Sequence, residues 1–255
     1  MEKIITTRKI IIALKKMHVN RLYRMVASIL PQWLNIKVKA IADKHGFSPL
    51  VMADELKPKY VHACTFLSDT VGKEKIGDYL EFGVSHGTSL SIMYKVLKQL
   101  NLDRVRIFGF DSFEGMPPVA AHEDENRWQP GEFASSIEAT TEYLSNHGVD
   151  LKRTFLIKGW FSDTLTSVVM DKHNIHKASL IMIDCDIYSS SKQALDFCKP
   201  LIKDRAIIFF DDWIEDKNYG EPRAWEEFLN ENPTFKAKEF GAYQPTGRIF
   251  EITLV

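Results

Sequence analysis

From residue 78 onward, two patterns of apolar and polar positions alternate along the chain. Short, continuously apolar runs are typical of buried parallel strands, and apolar residues spaced three to four positions apart are typical of helices packed on a sheet. The strand-like runs lie at 78–82, 105–110, 153–158, 179–183 and 205–210. The helical patterns lie at 88–101, 136–147, 161–173 and 189–199. This alternation predicts an α/β protein with a doubly wound parallel sheet that is covered by helices on both faces.

The two ends of the chain depart from this alternation. Residues 54–72 predict a helix that leads into the first strand, and residues 222–229 predict another after the fifth. Two further strands are predicted at 235–240 and 248–254. The first 45 residues mix basic and apolar positions at helical spacing, so we expect two parts: a helical N-terminal cap at 1–50 and a main domain at 51–255.

The overall composition is ordinary, but its charge is unevenly placed. The chain is 45% hydrophobic and 26% charged with a formal net charge of −1, which does not indicate nucleic-acid binding. Residues 1–45 nevertheless hold ten lysines and arginines against two acidic residues. Such a segment can lie on an anionic membrane surface or pack against protein. Because no apolar stretch there approaches the ~20 residues needed to span a bilayer, we expect a cap that helps to form a homodimer.

The three cysteines indicate the redox environment in which the protein is found. Cys64, Cys185 and Cys198 stand in apolar surroundings without the spacing of a zinc or redox motif. This predicts buried thiols in a reducing environment. The start of the chain also lacks a signal-peptide pattern, so we expect a cytoplasmic protein.

A glycine turn joins the first strand to the helix after it. Gly83 and Gly87 interrupt the apolar run and precede a helix that starts near Ser89. This geometry brings backbone N–H groups and a helix N-terminus close to a ligand. Glu81, at the end of the strand, can accept hydrogen bonds from that ligand. Many such turns bind nothing, so the turn alone does not decide the function.

Asp111, at the end of the second strand, strengthens the case for a cofactor. A doubly wound fold places at this position the carboxylate that holds a ribose diol. Asp111 lies 28 residues after Gly83, and the turn has the pattern Gly-x-x-x-Gly instead of Gly-x-Gly-x-x-Gly. Both features favour a nucleoside cofactor without a pyrophosphate. They disfavour the main alternative, a dinucleotide-binding oxidoreductase.

The fourth and fifth strands also end in carboxylates. Asp184 and Asp186 follow the fourth strand, and Asp211 and Asp212 follow the fifth. Ligands of parallel sheets bind at this edge, where unpaired carboxylates would repel one another. Asp184, Asp211 and Asp212 offer oxygen ligands that suit Mg²⁺ or another divalent cation. Asp186 has a second interpretation, as a cap of the following helix.

Five segments carry a family resemblance: Tyr79–Ser89, Gly109–Pro117, Lys158–Leu165, Ile183–Ser189 and Phe210–Trp213. As a set they resemble the macrocin O-methyltransferase family of class I S-adenosylmethionine-dependent methyltransferases, which methylates sugar hydroxyls. The resemblance implies a Rossmann-like, mostly parallel sheet with a C-terminal antiparallel pair. It implies Mg²⁺ on the three aspartates named above. The cofactor contacts that it implies are Glu81, Gly83, Ser85, Thr88, Ser89, Asp111, Ser112, Gly159, Trp160, Phe161, Ser162 and Asp184, with Gly159 to Ser162 around the adenine.

Methyl transfer to oxygen requires the acceptor hydroxyl to lose its proton. A divalent cation can bind that hydroxyl and lower its pKa, and a neighbouring oxygen on the acceptor would complete a chelate. The candidate bases are Asp184, Asp186, His86 and His122, and the sequence does not choose among them. His122 lies in the loop 117–131, which is expected to cover the acceptor.

We therefore expect methyl transfer to a hydroxyl of a small molecule or glycan, namely a sugar or a glycosylated natural product. A catechol or phenol acceptor is an alternative. Catechol methyltransferases place a lysine three positions after the first metal aspartate, whereas this chain has Ile187, which favours a sugar.

Overall fold

The computed structural model describes residues 53–123, 128–213, 219–244 and 246–255. The expected boundary near residue 50, the helical cap and its part in a homodimer all lie outside the described residues and stay predictions.

The described residues form one seven-stranded sheet in the order β3-β2-β1-β4-β5-β7-β6. The first five strands pair in parallel, whereas β7 pairs antiparallel with both β5 and β6. The predicted doubly wound sheet with a C-terminal antiparallel pair is confirmed. The strands are β1 (Asp78–Phe82), β2 (Ile107–Asp111), β3 (Thr154–Lys158), β4 (Ala178–Ile183), β5 (Arg205–Phe210), β6 (Phe235–Tyr243) and β7 (Gly247–Leu254).

The helices follow the predicted pattern with one exception. They are α1 (Ala53–Thr70), α2 (Thr88–Gln99), α3 (Ile137–Asn146), α4 (Phe161–Thr164), α5 (Ser167–His173), α6 (Tyr188–Cys198) and α7 (Gly220–Glu231). The prediction of one helix over 161–173 is wrong, because Thr166 has extended backbone angles and ends the first helical turn. The hydroxyl of Thr166 then accepts a hydrogen bond from the N–H of Val169 and caps a second helix.

The central strands are buried on both faces, which explains why apolar residues predominate in their sequences. Every residue of β1 and β4 is buried. Phe82 of β1 stacks on Phe110 of β2 with ring centroids 5.2 Å apart, and Phe197 of α6 packs against Phe110 at 5.3 Å. Burial of each such ring stabilises the fold by about 1.5–3 kcal/mol.

The three cysteines are free and buried, as predicted. Burial raises the pKa of the Cys64 thiol to about 12. In the part of the chain that the structure describes, none of the helices combines the length and the apolar character needed to cross a bilayer.

The strand order fixes where a ligand can bind. The chain runs outward from β1 to β2 and β3 on one side, then returns to place β4 and β5 on the other side. A crevice opens at such a reversal, outside the carboxyl ends of the strands. All the carboxylates singled out in the sequence lie at this edge.

Candidate active site

The turn after β1 passes directly beside the start of the loop after β4. The N–H of Asp184 donates to the carbonyl of Phe82 at 2.9 Å. Gly83 has a φ of +87°, and a Cβ at this position would lie 1.8 Å from the carbonyl oxygen of Asp184. Only glycine fits both constraints. The predicted cofactor turn and the first predicted metal ligand therefore share one crevice.

Glu81 lies beneath this turn and is fully buried. One carboxylate oxygen accepts from the hydroxyl of Ser89 at 2.6 Å, and the other accepts from the hydroxyl of Tyr79. The Tyr79 hydroxyl in turn lies 3.0 Å from the hydroxyl of Tyr60 on α1. Burial raises the pKa of Glu81 to about 7, although its two hydrogen bonds lower it. The protein thus holds both oxygens of Glu81 through side chains of its own.

Asp111 holds the glycine turn against the end of β2. One of its carboxylate oxygens accepts from the N–H groups of Val84 and Ser85 at 2.7 and 2.8 Å. The other accepts from the N–H of Phe113 at 2.6 Å. Carboxylate oxygens have about four acceptor sites in all, so Asp111 keeps acceptor capacity for a ribose diol. Its bonds to the turn are a role that the sequence did not indicate.

The other residues predicted to bind the cofactor surround this turn. Thr88 and Ser89 form the first turn of α2. The buried Ser112 donates from its hydroxyl to the carbonyl of Gly115 and accepts from the N–H of Glu114, both at 3.0 Å. These contacts fix the turn after β2 in the same way that Asp111 fixes the turn after β1.

The segment after β3 lies beside Asp111, because the N–H of Gly159 donates to the Asp111 carbonyl at 2.9 Å. Trp160 and Phe161 are half-buried and Ser162 is exposed. The ring of Phe161 packs edge-on against Phe82 with centroids 6.0 Å apart. Phe161 therefore contacts the core of the sheet, and a contact between this segment and an adenine stays a prediction.

Asp184, Asp211 and Asp212 converge as predicted. One carboxylate oxygen from each lies within 4.8 Å of those of the other two. The N–H of Asp211 donates to the carbonyl of Ile183 at 3.1 Å, which holds the ends of β4 and β5 side by side. Burial raises the pKa of Asp184 well above its usual range, and the charges of Asp211 and Asp212 raise it further. Three carboxylate oxygens that converge in this way fit a divalent cation.

Asp186 does not cap α6. Its backbone has a φ of +61°, and Ile187 occupies the N-cap position of α6 without a side-chain cap bond in the described residues. The N–H of Ser189 donates instead to the carboxylate of Glu123 at 3.1 Å. The interpretation of Asp186 as a helix cap is therefore wrong. Asp186 is half-buried at the start of this loop, and its charge contributes to the raised pKa of Asp184.

The loop expected to cover the acceptor packs against the loop after β4. Met116 and Ala120 form a small buried cluster with Ile187, and Trp128 and Phe133 pack against it. His122 is exposed on this loop. His86, the other candidate histidine, has its Nδ1 2.8 Å from the hydroxyl of Ser135. Neither histidine belongs to the group of three aspartates that converges in the described residues.

One carboxylate of the site was missed by the sequence analysis. Glu221, in the first turn of α7, is fully buried, and one of its oxygens accepts from the N–H of Asp212 at 3.0 Å. Burial raises the pKa of Glu221 well above its usual range, as do the charges of Asp212 and Asp184. In sequence, Glu221 is an acidic residue in the first turn of a helix, where acids are common because they interact favourably with the helix dipole. No sequence signal distinguishes it from those.

The family follows from a match over most of the described chain. Residues 54–237 match the sequence model of the family described as macrocin-O-methyltransferase (TylF). The chain belongs to the macrocin O-methyltransferase family. This confirms the resemblance of the five segments, all of which lie inside the matched range.

Two curated relatives are similar to this family member. The 8-demethyl-8-(2,3-dimethoxy-alpha-L-rhamnosyl)-tetracenomycin-C 4'-O-methyltransferase of Streptomyces olivaceus is 29% identical over 146 residues, which cover 55% of this chain and 54% of the relative. The demethyldecarbamoylnovobiocin O-methyltransferase of Streptomyces niveus is 23% identical over 159 residues, covering 58% of this chain and 57% of the relative. The chain thus spans little more than half the length of the curated relatives that it matches.

Solved structures agree on the fold. The O-methyltransferase NovP aligns with a TM-score of 0.61 and 19% identity, covering 75% of this chain and 78% of NovP. TomG from Streptomyces achromogenes, an O-methyltransferase of tomaymycin synthesis in complex with S-adenosylmethionine, aligns with a TM-score of 0.53 and 14% identity, covering 92% of this chain and 96% of TomG. The class I methyltransferase fold predicted for this family member is thereby confirmed.

Proposed function

We propose that this protein transfers the methyl group of S-adenosylmethionine to a hydroxyl of a sugar or glycosylated natural product, assisted by a divalent cation. The observation that carries the proposal is the close approach of Gly83 to the carbonyl of Asp184, which brings the glycine turn after β1 beside the three converging aspartates. The names of both curated relatives describe O-methylation of a complex natural product, one of them rhamnosylated. The fold is shared with a structure that contains S-adenosylmethionine.

In this proposal, the turn after β1 and Asp111 bind and orient the cofactor. Asp111 already holds the turn through the N–H groups of Val84 and Ser85, and its spare acceptor capacity takes the ribose diol. Glu81 keeps the base of the turn in place through Ser89. Held by these residues, the cofactor would supply its methyl group to an acceptor at the acidic loop after β4.

Asp184, Asp211 and Asp212 would hold the cation. A divalent cation bound there would lower the pKa of the acceptor hydroxyl and fix its position. Of the four candidate bases, we assign the proton to Asp186. Asp184 is committed to the cation, His122 is exposed, and His86 is bonded to Ser135. The Asp186 carboxylate would accept the hydroxyl proton, and S-adenosylmethionine would supply the methyl group, which the acceptor oxygen takes as S-adenosylhomocysteine leaves.

An acceptor screen tests the reaction. Nucleotide sugars, macrolides, glycosylated aromatic products and catechols would be incubated with S-adenosylmethionine, once with Mg²⁺ and once with excess EDTA. We expect methylation of a sugar hydroxyl that has a neighbouring oxygen, and its loss in EDTA. Full activity in EDTA would contradict the cation, and methylation of catechols alone would contradict the sugar acceptor. Calorimetry with S-adenosylmethionine and with NAD separates this proposal from an oxidoreductase, since only the first should bind.

We also propose that residues 1–45 form a cap within a homodimer. The support is their mixture of basic and apolar positions, which suits packing against protein. Light scattering should give twice the monomer mass for the intact chain and a smaller mass for a chain that lacks these residues. If the intact chain floats with anionic vesicles at physiological salt and the shortened chain does not, the segment binds membranes instead.

A further inference from the structure

The first turn of α7 contacts both acidic loops of the site. Gly220 has a φ of +46°, and a Cβ at this position would lie 2.9 Å from the carbonyl oxygen of Asp186. The next residue, Glu221, accepts a hydrogen bond from the N–H of Asp212 at 3.0 Å. One helix end therefore packs against the loop after β4 and holds the loop after β5.

The burial of Glu221 is not explained by the packing of the helix. The side chain is 0% exposed, and its second oxygen has no hydrogen-bond partner within the four described stretches of the chain. A buried acceptor without a partner opposes folding. Nor does Glu221 cap its own helix, because the N-cap position belongs to Tyr219. Glu226, one turn later on the same helix, is exposed.

What Glu221 does contribute is a fixed position for Asp212. Asp212 directly follows Asp211 at the end of β5, where the ladder of strand hydrogen bonds stops. The bond to Glu221 is the hydrogen bond that the structure gives to the N–H of Asp212. It holds the peptide whose side chain must converge with those of Asp184 and Asp211.

We propose that Glu221 is a positioning residue for the divalent cation: its carboxylate anchors the backbone of Asp212 so that three ligand oxygens converge before the cation binds. This inference rests on the proposed function, since it assumes that the three aspartates hold a cation. Residues that orient a metal ligand typically contribute about 10–100-fold to metal affinity. Glu221 acts through Asp212 and not on the substrate.

Two conservative variants distinguish the effect of the length of the Glu221 side chain from the effect of its carboxylate. Glu221→Gln keeps the length of the side chain and an oxygen that accepts from the N–H of Asp212, but it removes the carboxylate. Glu221→Asp keeps the carboxylate but is one methylene too short to reach the same N–H. Glu226→Gln, on the exposed face of α7, is the matched control.

The readout is Mn²⁺ affinity, measured by electron paramagnetic resonance on the full chain saturated with S-adenosylhomocysteine. We expect Glu221→Asp to weaken Mn²⁺ binding by about 10–100-fold. Glu221→Gln and Glu226→Gln should stay within about threefold of the unmodified protein, because the amide oxygen of the glutamine introduced by Glu221→Gln still accepts the hydrogen bond. Affinity for S-adenosylhomocysteine should be the same in all four proteins, which shows that the shared fold is intact.

The outcomes that contradict the inference are distinct. Unchanged Mn²⁺ affinity in Glu221→Asp, or a stronger loss in Glu221→Gln than in Glu221→Asp, would overturn the positioning role alone. A parallel loss of S-adenosylhomocysteine binding in Glu221→Asp would assign the residue to the fold and overturn it too. If the unmodified protein binds no Mn²⁺, the cation in the proposed function fails and this inference fails with it.

Discussion

The acidic residues at the ends of β1 and β2, one half of the sheet's carboxyl edge, have surroundings opposite to those of the acidic residues at the ends of β4 and β5, the other half. At the ends of β1 and β2, protein donors satisfy the carboxylates: Ser89 and Tyr79 bind Glu81, and three backbone N–H groups bind Asp111. At the ends of β4 and β5, carboxylates face one another, and the charges of Asp211 and Asp212 raise the pKa of Asp184. The first half is held by hydrogen bonds within the protein, whereas the second brings like charges together, which a bound cation would offset.

This difference has a functional consequence. A carboxylate that is already bonded can hold a turn in shape for a nucleoside without waiting for the ligand. Carboxylates that lie close together repel one another, and a bound cation relieves this repulsion. The relief favours binding of the cation. Variants in each half should therefore have different effects, and the largest is expected at the cation ligands.

Removing a cation ligand should affect turnover far more than cofactor binding. Asp211→Asn or Asp212→Asn withdraws several kcal/mol of transition-state stabilisation, or about two to four powers of ten in rate. Calorimetry should show unchanged affinity for S-adenosylmethionine, since the residues proposed to hold the nucleoside lie at the ends of β1, β2 and β3. Asp196→Asn, an exposed aspartate on α6, serves as the control. If cofactor affinity fell together with turnover, the two halves of this edge would act as one unit.

Glu81 should make stability depend on pH in a direction opposite to that of an ordinary paired carboxylate. Its pKa is raised from 4.5 to about 7 by burial, so the unfolded chain ionises first as pH rises. The contribution of Glu81 is therefore fully present below about pH 4.5 and is lost as pH rises toward 7. This difference in pKa between the folded and unfolded chain corresponds to at most about 3 kcal/mol in the free energy of unfolding.

Urea unfolding of the unmodified protein and of Glu81→Gln, at steps between pH 4.5 and 7.5, measures this contribution. The free energy of unfolding of the unmodified protein should fall relative to that of the variant as pH rises, then become parallel to it above pH 7. Parallel curves over the whole range would show that the fold does not raise the pKa of this carboxyl.

Loss of the carboxylate at the end of β2 should weaken cofactor binding and leave cation binding unchanged. The variants of the proposed cation ligands should do the opposite. Asp111→Ala removes acceptors of three backbone N–H groups and of the proposed ribose diol, so S-adenosylmethionine binding should weaken by ~1.5–3 kcal/mol. Mn²⁺ affinity should be unchanged. Asp103→Ala, on the exposed loop before β2, is the control. Calorimetry with unchanged cofactor affinity would remove Asp111 from the cofactor site.

The smallest effect is expected at the far end of the hydrogen-bonded chain beneath the turn. Tyr60→Phe removes the hydroxyl 3.0 Å from that of Tyr79, at a cost of about 1 kcal/mol in the free energy of unfolding. Tyr143→Phe, a partly exposed tyrosine on α3, should cost less. A change in Mn²⁺ affinity on Tyr60→Phe would link the two halves and contradict their independence.

Most of the strands and helices, and the acidic residues at the strand ends, could be predicted from the order of residues along the chain. Strand β1 was predicted with the bounds that the structure has, because its apolar residues and the glycine that follows them form a local pattern. The convergence of Asp184, Asp211 and Asp212 was also predictable. Consecutive parallel strands at one edge of a sheet bring their carboxyl ends together, so residue type and strand position were sufficient.

Which side chains form hydrogen bonds with one another, and which carboxylates repel one another, depends on how distant elements pack. Two of the three N–H partners of Asp111 come from a turn 26 and 27 residues away in sequence. Tyr60 joins Glu81 from a helix that precedes the sheet. In sequence Glu221 resembles any first-turn acid, and only the packing of α7 against the end of β5 buries it beside Asp212. Periodicity reports which side of an element is buried, whereas hydrogen-bond partners depend on how distant elements pack, and no local pattern records that.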